Sequence, residues 1–217
     1  MNVAFTGLDD QAKVLRAEID RRIARVLDHG RFIMGPEVSE FESALASFCG
    51  ASNAIGVANG TDALQIALMA GGIKSGDAVF LPAFTYTATA EVIMILGAIP
   101  FFVDVDASTF NMDCGHLETQ IERAQELDIR PAAVIGVDLF GLPADWDSLN
   151  SICRVHGLFL IADSAQSFGA QYHGRKVGTL ADVTTTSFFP AKPLGCYGDG
   201  GALFTENAKL ASEMRSI

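Results

Sequence analysis

No two of the four cysteines (Cys49, Cys114, Cys153, Cys196) form a CxxC pair, and no two of the four histidines (His29, His116, His156, His173) stand at HxxxH spacing. Scattered cysteines suit reduced thiols better than a disulfide framework, and the missing Cys/His cluster weighs against a metal site. No apolar run reaches the roughly 20 residues of a membrane span. Residues 1–10, MNVAFTGLDD, lack the basic-then-apolar pattern of a signal peptide, so the expected location is the cytoplasm. Positive charge is also scarce: 15 Lys and Arg against 26 Asp and Glu leave a net charge of −11. That balance argues against a nucleic-acid partner, which wants a basic face. It leaves room for a small anionic ligand held by backbone amides.

The 217 residues, 49% of them hydrophobic, suffice for one large α/β domain. Helical and strand patterns alternate throughout. Residues 10–28 place Val14, Leu15, Ile19, Ile23 and Val26 on one helical face. Pro36 opens a second helix that Gly50 closes. Short apolar runs at 54–57, 78–81, 100–103, 132–137, 158–162 and 183–188 read as buried strands. Helical segments near 61–71, 86–97, 115–127, 145–156 and 207–217 separate several of them. This pattern predicts a central, mostly parallel sheet with helices on both faces, three layers in all. The run 200–205 follows a tight loop and fits an antiparallel strand in that sheet. The last helix, with Leu210, Met214 and Ile217 on one face, stops without a cap signal, so the chain is expected to be part of something longer.

Candidate chemistry gathers where strands end, since open α/β sheets bind ligands at their carboxyl edge. Lys192 lies between Pro190 and Pro193 and precedes a glycine-rich loop. A constrained lysine amine is suited to forming a Schiff base with a carbonyl, though proline and glycine also mark ordinary tight turns. Gly60, Thr61 and Asp62 open a helix after a strand and form a candidate phosphate cradle; taken alone, the segment favours a plain helix cap. Asp163 ends the strand LFLIAD, where burial raises a carboxyl pKa unless a cation or donors hold the charge. A protonated pyridine ring is such a cation, and Gln166 stands one short turn on. Tyr86, after the strand ending at Pro82, is a candidate to stack on a planar group, with Phe84 as competitor and core packing as the alternative. Arg175 and Lys176 read either as nucleotide-phosphate contacts or as a solvated basic turn, Trp146 as packing, and Asp104 with Asp106 as a turn pair.

The segments NGTDALQ, PAFTYTATAE, DVDASTFNMD, FGLPADWD, ADSAQSFGAQYHGRKVGT and SFFPAKPLGCYGDGGALFT resemble the DegT/DnrJ/EryC1/StrS sugar aminotransferases. The resemblance spans essentially residues 1–217. It implies the large domain of a fold-type I transferase that uses pyridoxal 5'-phosphate (PLP). Lys192 is then implied to hold the cofactor, Asp163 to pair with the ring nitrogen and Gln166 to contact the ring hydroxyl. Gly60, Thr61, Asp62 and the Ser187 hydroxyl are implied to hold the phosphate, and Tyr86 to stack over the ring. Family members with histidine in place of the lysine are sugar dehydratases, so Lys192 points to amino transfer. The implied substrate is a nucleotide-linked keto sugar, closest to a UDP-3-keto-hexuronic acid, with L-glutamate as donor and bacterial polysaccharide or lipopolysaccharide as destination. A 4-keto sugar aminotransferase and a non-catalytic PLP-binding or regulatory module are the alternatives. The resemblance further implies a small C-terminal domain beyond residue 217 and a homodimer in the full protein.

Overall fold

A computed structural model describes residues 7–217; the segment 1–6, part of the stretch read for a leader pattern, lies outside the described residues. Two helices come first, α1 (Leu8–His29) and α2 (Pro36–Cys49). They are followed by β1 (Asn53–Val57), α3 (Gly60–Ala70), β2 (Ala78–Pro82), α4 (Ala88–Ile95) and β3 (Ile99–Val103). Next are α5 (Cys114–Glu126), β4 (Pro131–Val137), α6 (Trp146–His156) and β5 (Phe159–Asp163). A short hairpin, β6 (Gln171–Tyr172) and β7 (Arg175–Lys176), precedes β8 (Val183–Ser187), β9 (Gly201–Thr205) and α7 (Ala208–Ser216).

Seven strands form one sheet in the order β1-β9-β8-β5-β4-β2-β3. The run β8-β5-β4-β2-β3 is parallel, and β9 lies antiparallel between β8 and β1. The apolar runs are continuous because the central strands are buried on both faces. Val79 and Leu81 of β2, with Ile135 of β4, pack beneath α3, α4 and α7. Their neighbours Phe80 and Val134 pack beneath α5 and α6. A third cluster joins α2 to Phe168, Phe188 and Phe204. Side-chain caps start four of the helices: Asn59, Asp113, Asp145 and Asn207 each accept a backbone N–H of the turn they open. The three layers read from the sequence are present.

Helix α1 departs from the usual fate of an amphipathic helix, for none of its residues is buried. Val14 and Ile23 remain 82% and 54% exposed. The helix is held instead by polar contacts to α2, where Glu37 accepts from Arg25 (2.9 Å) and meets His29 Nε2 (3.1 Å). Periodicity marked its apolar face correctly but not what the face packs on. The thiols of Cys49, Cys114 and Cys153 are free, and burial pushes the first two up to about 11 and the third to about 12, so they are unreactive near neutral pH.

Candidate active site

Six strands point their carboxyl ends to one edge of the sheet, and five of them lead to candidate residues: β1 to Gly60, β2 to Tyr86, β4 to Asp138, β5 to Asp163 and β8 to Lys192. Strand β9 brings its first residue to the same edge. Gly201 pairs with Val57 on one side and Ser187 on the other. A Cβ on Gly201 would lie 2.5 Å from both C and O of Asn59 and 2.9 Å from the nitrogen of Gly60. On Gly60 it would lie 2.7 Å from Cβ of Ser187. The chain thus closes here backbone against backbone, and only glycine fits. Replacing Gly201 with alanine is expected to cost about 2 kcal/mol, because the obstructing atoms are main chain. Urea unfolding reads this, and an unchanged midpoint would show that the loop relaxes freely.

At the start of α3 the first-turn N–H groups have no intrahelical acceptor, and the dipole favours an anion. Asn59 Oδ1 takes the N–H of Asp62 (2.8 Å), and Asn59 Nδ2 donates to the Asp62 carboxylate (3.0 Å). The donors left at this turn are the amides of Gly60 and Thr61 and the Thr61 hydroxyl. Ser187 stands against Gly60; its Oγ accepts from Phe189 N (3.2 Å) and keeps its own hydrogen to donate. This set is a cluster of donors suited to an anion, with Asp62 tied to the turn by the Asn59 clamp.

Lys192 sits on a tightly folded loop. Its N–H donates to Phe189 O (2.8 Å), Cys196 N to Phe188 O (2.8 Å) and Phe188 N to Gly200 O (2.7 Å). Gly195 is needed for the loop itself, since a Cβ there would lie 2.3 Å from Pro190 O. Among the described residues, no side chain hydrogen-bonds Lys192 Nζ. Lys192, Ala191 and Pro193 line a cavity of about 450 Å³ together with Phe140 and Gln166. A hollow of about 560 Å³ lies beside Gly71, Gly157, Asp182 and Asn207, but at the amino ends of β5 and β8 and with no comparable chemistry.

Asp163 is 9% exposed, and its Oδ1 accepts one hydrogen bond, from Ala165 N (3.1 Å). Burial pushes its carboxyl up to about 6; the Ala165 amide and the Lys192 ammonium pull against that shift, and Asp138 adds to it. A carboxylate so placed calls for a cation. Gln166 Oε1 accepts from Phe140 N (2.8 Å), which leaves Nε2 to donate into the cavity. Tyr86 is 67% exposed and is not among the residues lining that cavity. Phe84 does not line it either, but its ring contacts that of the lining residue Phe140 (6.1 Å) and that of Phe110 (5.8 Å).

The DegT/DnrJ/EryC1/StrS aminotransferase model matches residues 13–217. The chain belongs to that family. A UDP-2-acetamido-2-deoxy-3-oxo-D-glucuronate aminotransferase of Pseudomonas aeruginosa is 49% identical over 99% of this chain and 58% of its own length. A DegT/DnrJ/EryC1/StrS aminotransferase from Brucella abortus superposes with a TM-score of 0.97 at 46% identity, over all of this chain and 58% of that one. The ntda protein of Bacillus subtilis, solved with bound cofactor PMP, gives 0.86 at 30% identity over 98% of this chain and 47% of its own. The chain therefore spans about half the length of the relatives it matches. In this family the mostly parallel sheet and its helices are the fold-type I scaffold.

Two site residues escaped the sequence reading. Asn59, the residue before Gly60, is the clamp on Asp62. Asp138 follows the apolar strand VIGV as Asp163 follows LFLIA, and that repeated pattern was the available signal. Its fully buried carboxylate accepts from Ala144 N (2.8 Å), Trp146 Nε1 (2.9 Å), Ser164 Oγ (3.1 Å) and Ser167 Oγ (2.6 Å). Trp146 is accordingly packing, at 1% exposure. Asp106 Oδ1 accepts from the amides of Ser108 and Thr109 (both 2.9 Å), the expected turn role. Arg175 donates to Thr179 O and shares a hollow with Asp182, at strand ends opposite those carrying Lys192. Lys176 lies over the Phe48 ring at 3.6 Å. Both basic residues belong to the hairpin rather than to the site.

Proposed function

We propose that the protein is a PLP-dependent aminotransferase that moves an amino group from L-glutamate to a keto sugar carried on a nucleotide. The observation that carries this reading is the buried Asp163 carboxylate, which among the described residues meets no cation except Lys192 on the rim of the same edge. The residues present fit the cofactor. The amides at the start of α3, the Thr61 hydroxyl and Ser187 Oγ suit its phosphate, with Gly60 at the turn and Asp62 held by Asn59. Gln166 Nε2 suits its ring hydroxyl, and Tyr86 or Phe84 its ring face.

When bound, PLP supplies an electron sink that stabilises negative charge on a carbon losing its proton. Asp163 would keep that sink strong by holding a proton on the ring nitrogen through a charge-assisted hydrogen bond. Lys192 Nζ would hold the cofactor in the resting protein. As a free amine, Nζ would serve as the base that takes the donor's α-proton and as the acid that gives it back. The Pro190–Pro193 bracket keeps this amine near one spot, which favours proton transfer at short range.

The sugar is a UDP-3-keto-hexuronic acid or a close analogue, a reading supported by the Pseudomonas aeruginosa relative. Its product serves bacterial polysaccharide or lipopolysaccharide assembly in the cytoplasm. A second subunit and a small domain following residue 217 complete the substrate pocket of the homodimer. Stopped-flow absorbance of the intact, PLP-loaded protein tests these assignments in order. L-Glutamate should convert the bound cofactor to its amine form with release of 2-oxoglutarate. No conversion by folded protein overturns amine transfer and leaves a PLP-binding module. The amine form should then react with 3-keto nucleotide sugars; reaction with 4-keto sugars alone overturns the sugar assignment.

A further inference from the structure

We infer that Asp138 is a positioning residue: it clasps the turn after β4 to the turn after β5 and so fixes Asp163 and Gln166 against Lys192. The inference rests on the proposed cofactor site. Its structural basis is independent of any ligand.

Four contacts sew the two turns together. Asp138 N donates to Asp163 O (3.1 Å), which ties the backbone of the two strand ends. The Ser164 and Ser167 hydroxyls both donate to Asp138 Oδ2 (3.1 and 2.6 Å). Phe140 N donates to Gln166 Oε1 (2.8 Å). The last contact requires Phe140 to hold φ 55°, a left-handed conformation that costs a β-carbon residue free energy. The next residue, Gly141, continues at φ 88°. Glycine takes such an angle freely, whereas Phe140 does so at a cost, and the Asp138 side chain restrains the turn by also accepting from Ala144 N beyond it.

Asp138 is 0% exposed, and a buried carboxylate with two donors on each oxygen is satisfied only in this geometry. The bonds to Oδ1 come from the β4–α6 connection (Ala144) and the first residue of α6 (Trp146), and both bonds to Oδ2 from the turn after β5. The carboxylate is therefore a bridge with one oxygen for each side. Residues 163 to 167 cannot shift relative to residues 138 to 146 without leaving a buried charge short of donors, which is costly. Asp163 and Gln166 sit on the first of these segments and inherit its rigidity. Sites of this kind work only when held to about 0.5 Å.

The test compares Asp138→Ala, which removes the bridge, with Asp138→Asn, which keeps its shape. In Asp138→Asn the amide oxygen still accepts from Ala144 N and Trp146 Nε1, and the amide nitrogen can bond the serine hydroxyls. Ser167→Ala deletes only the 2.6 Å bond and serves if Asp138→Ala does not fold. Three readouts on the intact protein separate positioning from stability. These are the Kd for PLP, the induced circular dichroism of bound PLP, and hydrogen exchange at the 164–167 amides without cofactor. Folded Asp138→Ala, or Ser167→Ala, is expected to bind PLP about tenfold more weakly, to lose much of the dichroic band, and to exchange these amides faster. The glutamate half-reaction should slow about 100-fold, as expected for misplacement by an ångström. Asp138→Asn should recover most of each signal. Native Kd, dichroism and exchange in a variant that merely melts earlier would overturn the inference. Failure of the unmodified protein to bind PLP would instead refute the proposed function and leave the exchange comparison to decide the clasp.

Discussion

Lys192→Ala is expected to slow the glutamate half-reaction about 10⁴-fold while the protein keeps its fold. The loss is that large because one amine serves both as the attachment point and as the proton carrier. General acid–base catalysis alone contributes up to about 10⁴-fold, and no neighbour is placed to substitute. Arg175 and Lys176 lie on the hairpin, and Asp163 is at the opposite task of holding charge. The fold survives because no described side chain hydrogen-bonds Lys192 Nζ, and the bonds that close the loop, from Lys192 N, Cys196 N and Phe188 N, do not involve the lysine side chain. Stopped-flow rates, thermal melting and borohydride reduction followed by peptide mass mapping check the three parts. Wild-type protein should carry reduced cofactor on Lys192 and the variant none. A variant that retains more than about a hundredth of the rate would sink the assignment, since a lost proton carrier costs at least about 100-fold.

Strand ends were legible because β2, β4 and β5 are buried on both faces, so each reads as an apolar run that stops abruptly. A polar residue at the stop is at the binding edge, which is how Asp163 stood out, whereas Lys192 stood out by its bracket of Pro190 and Pro193. Asp138 met the same test and was missed, because its role depends on Ser164 and Ser167 arriving from another strand. Sequence spacing carries no sign of such a meeting. The contact of Gly60 with Gly201 was hidden for the same reason: it exists only because β9 inserts between β8 and β1. The left-handed Phe140 was out of reach too, since its conformation is imposed by Gln166 and Asp138 rather than by its own preference. For α1 the sequence reported a face, and a face is a property of one helix, whereas burial needs a second element.

Asp163→Asn should separate stability from function in opposite directions. In the cofactor-free protein Asp163 titrates near 6 instead of the usual carboxylate value, chiefly because burial disfavours its charge. The folded state therefore binds this proton more tightly than the unfolded state does. Stability from that proton is fully present below about pH 4 and is lost as pH rises through about 6. Above pH 7 the buried charge costs the protein up to about 3 kcal/mol. Asparagine never takes the charge, and its Oδ1 can still accept from Ala165 N. Cofactor-free Asp163→Asn should thus melt several degrees above wild type at pH 8, at about 2–4 °C per kcal/mol for a chain of this size. The gap should close as the pH is lowered to 4. Adding PLP should reverse the order, because a protonated ring nitrogen gives the wild-type carboxylate its missing cation and gives asparagine nothing comparable. The half-reaction should fall about 10³-fold in the variant, the scale on which removal of a preorganised charge partner acts. Melting curves from pH 4 to 8, with and without PLP, test the whole chain of reasoning. Equal melting temperatures at pH 8 would show that Asp163 is already neutralised within the chain, and the case for a cationic ring at this place would fall with it.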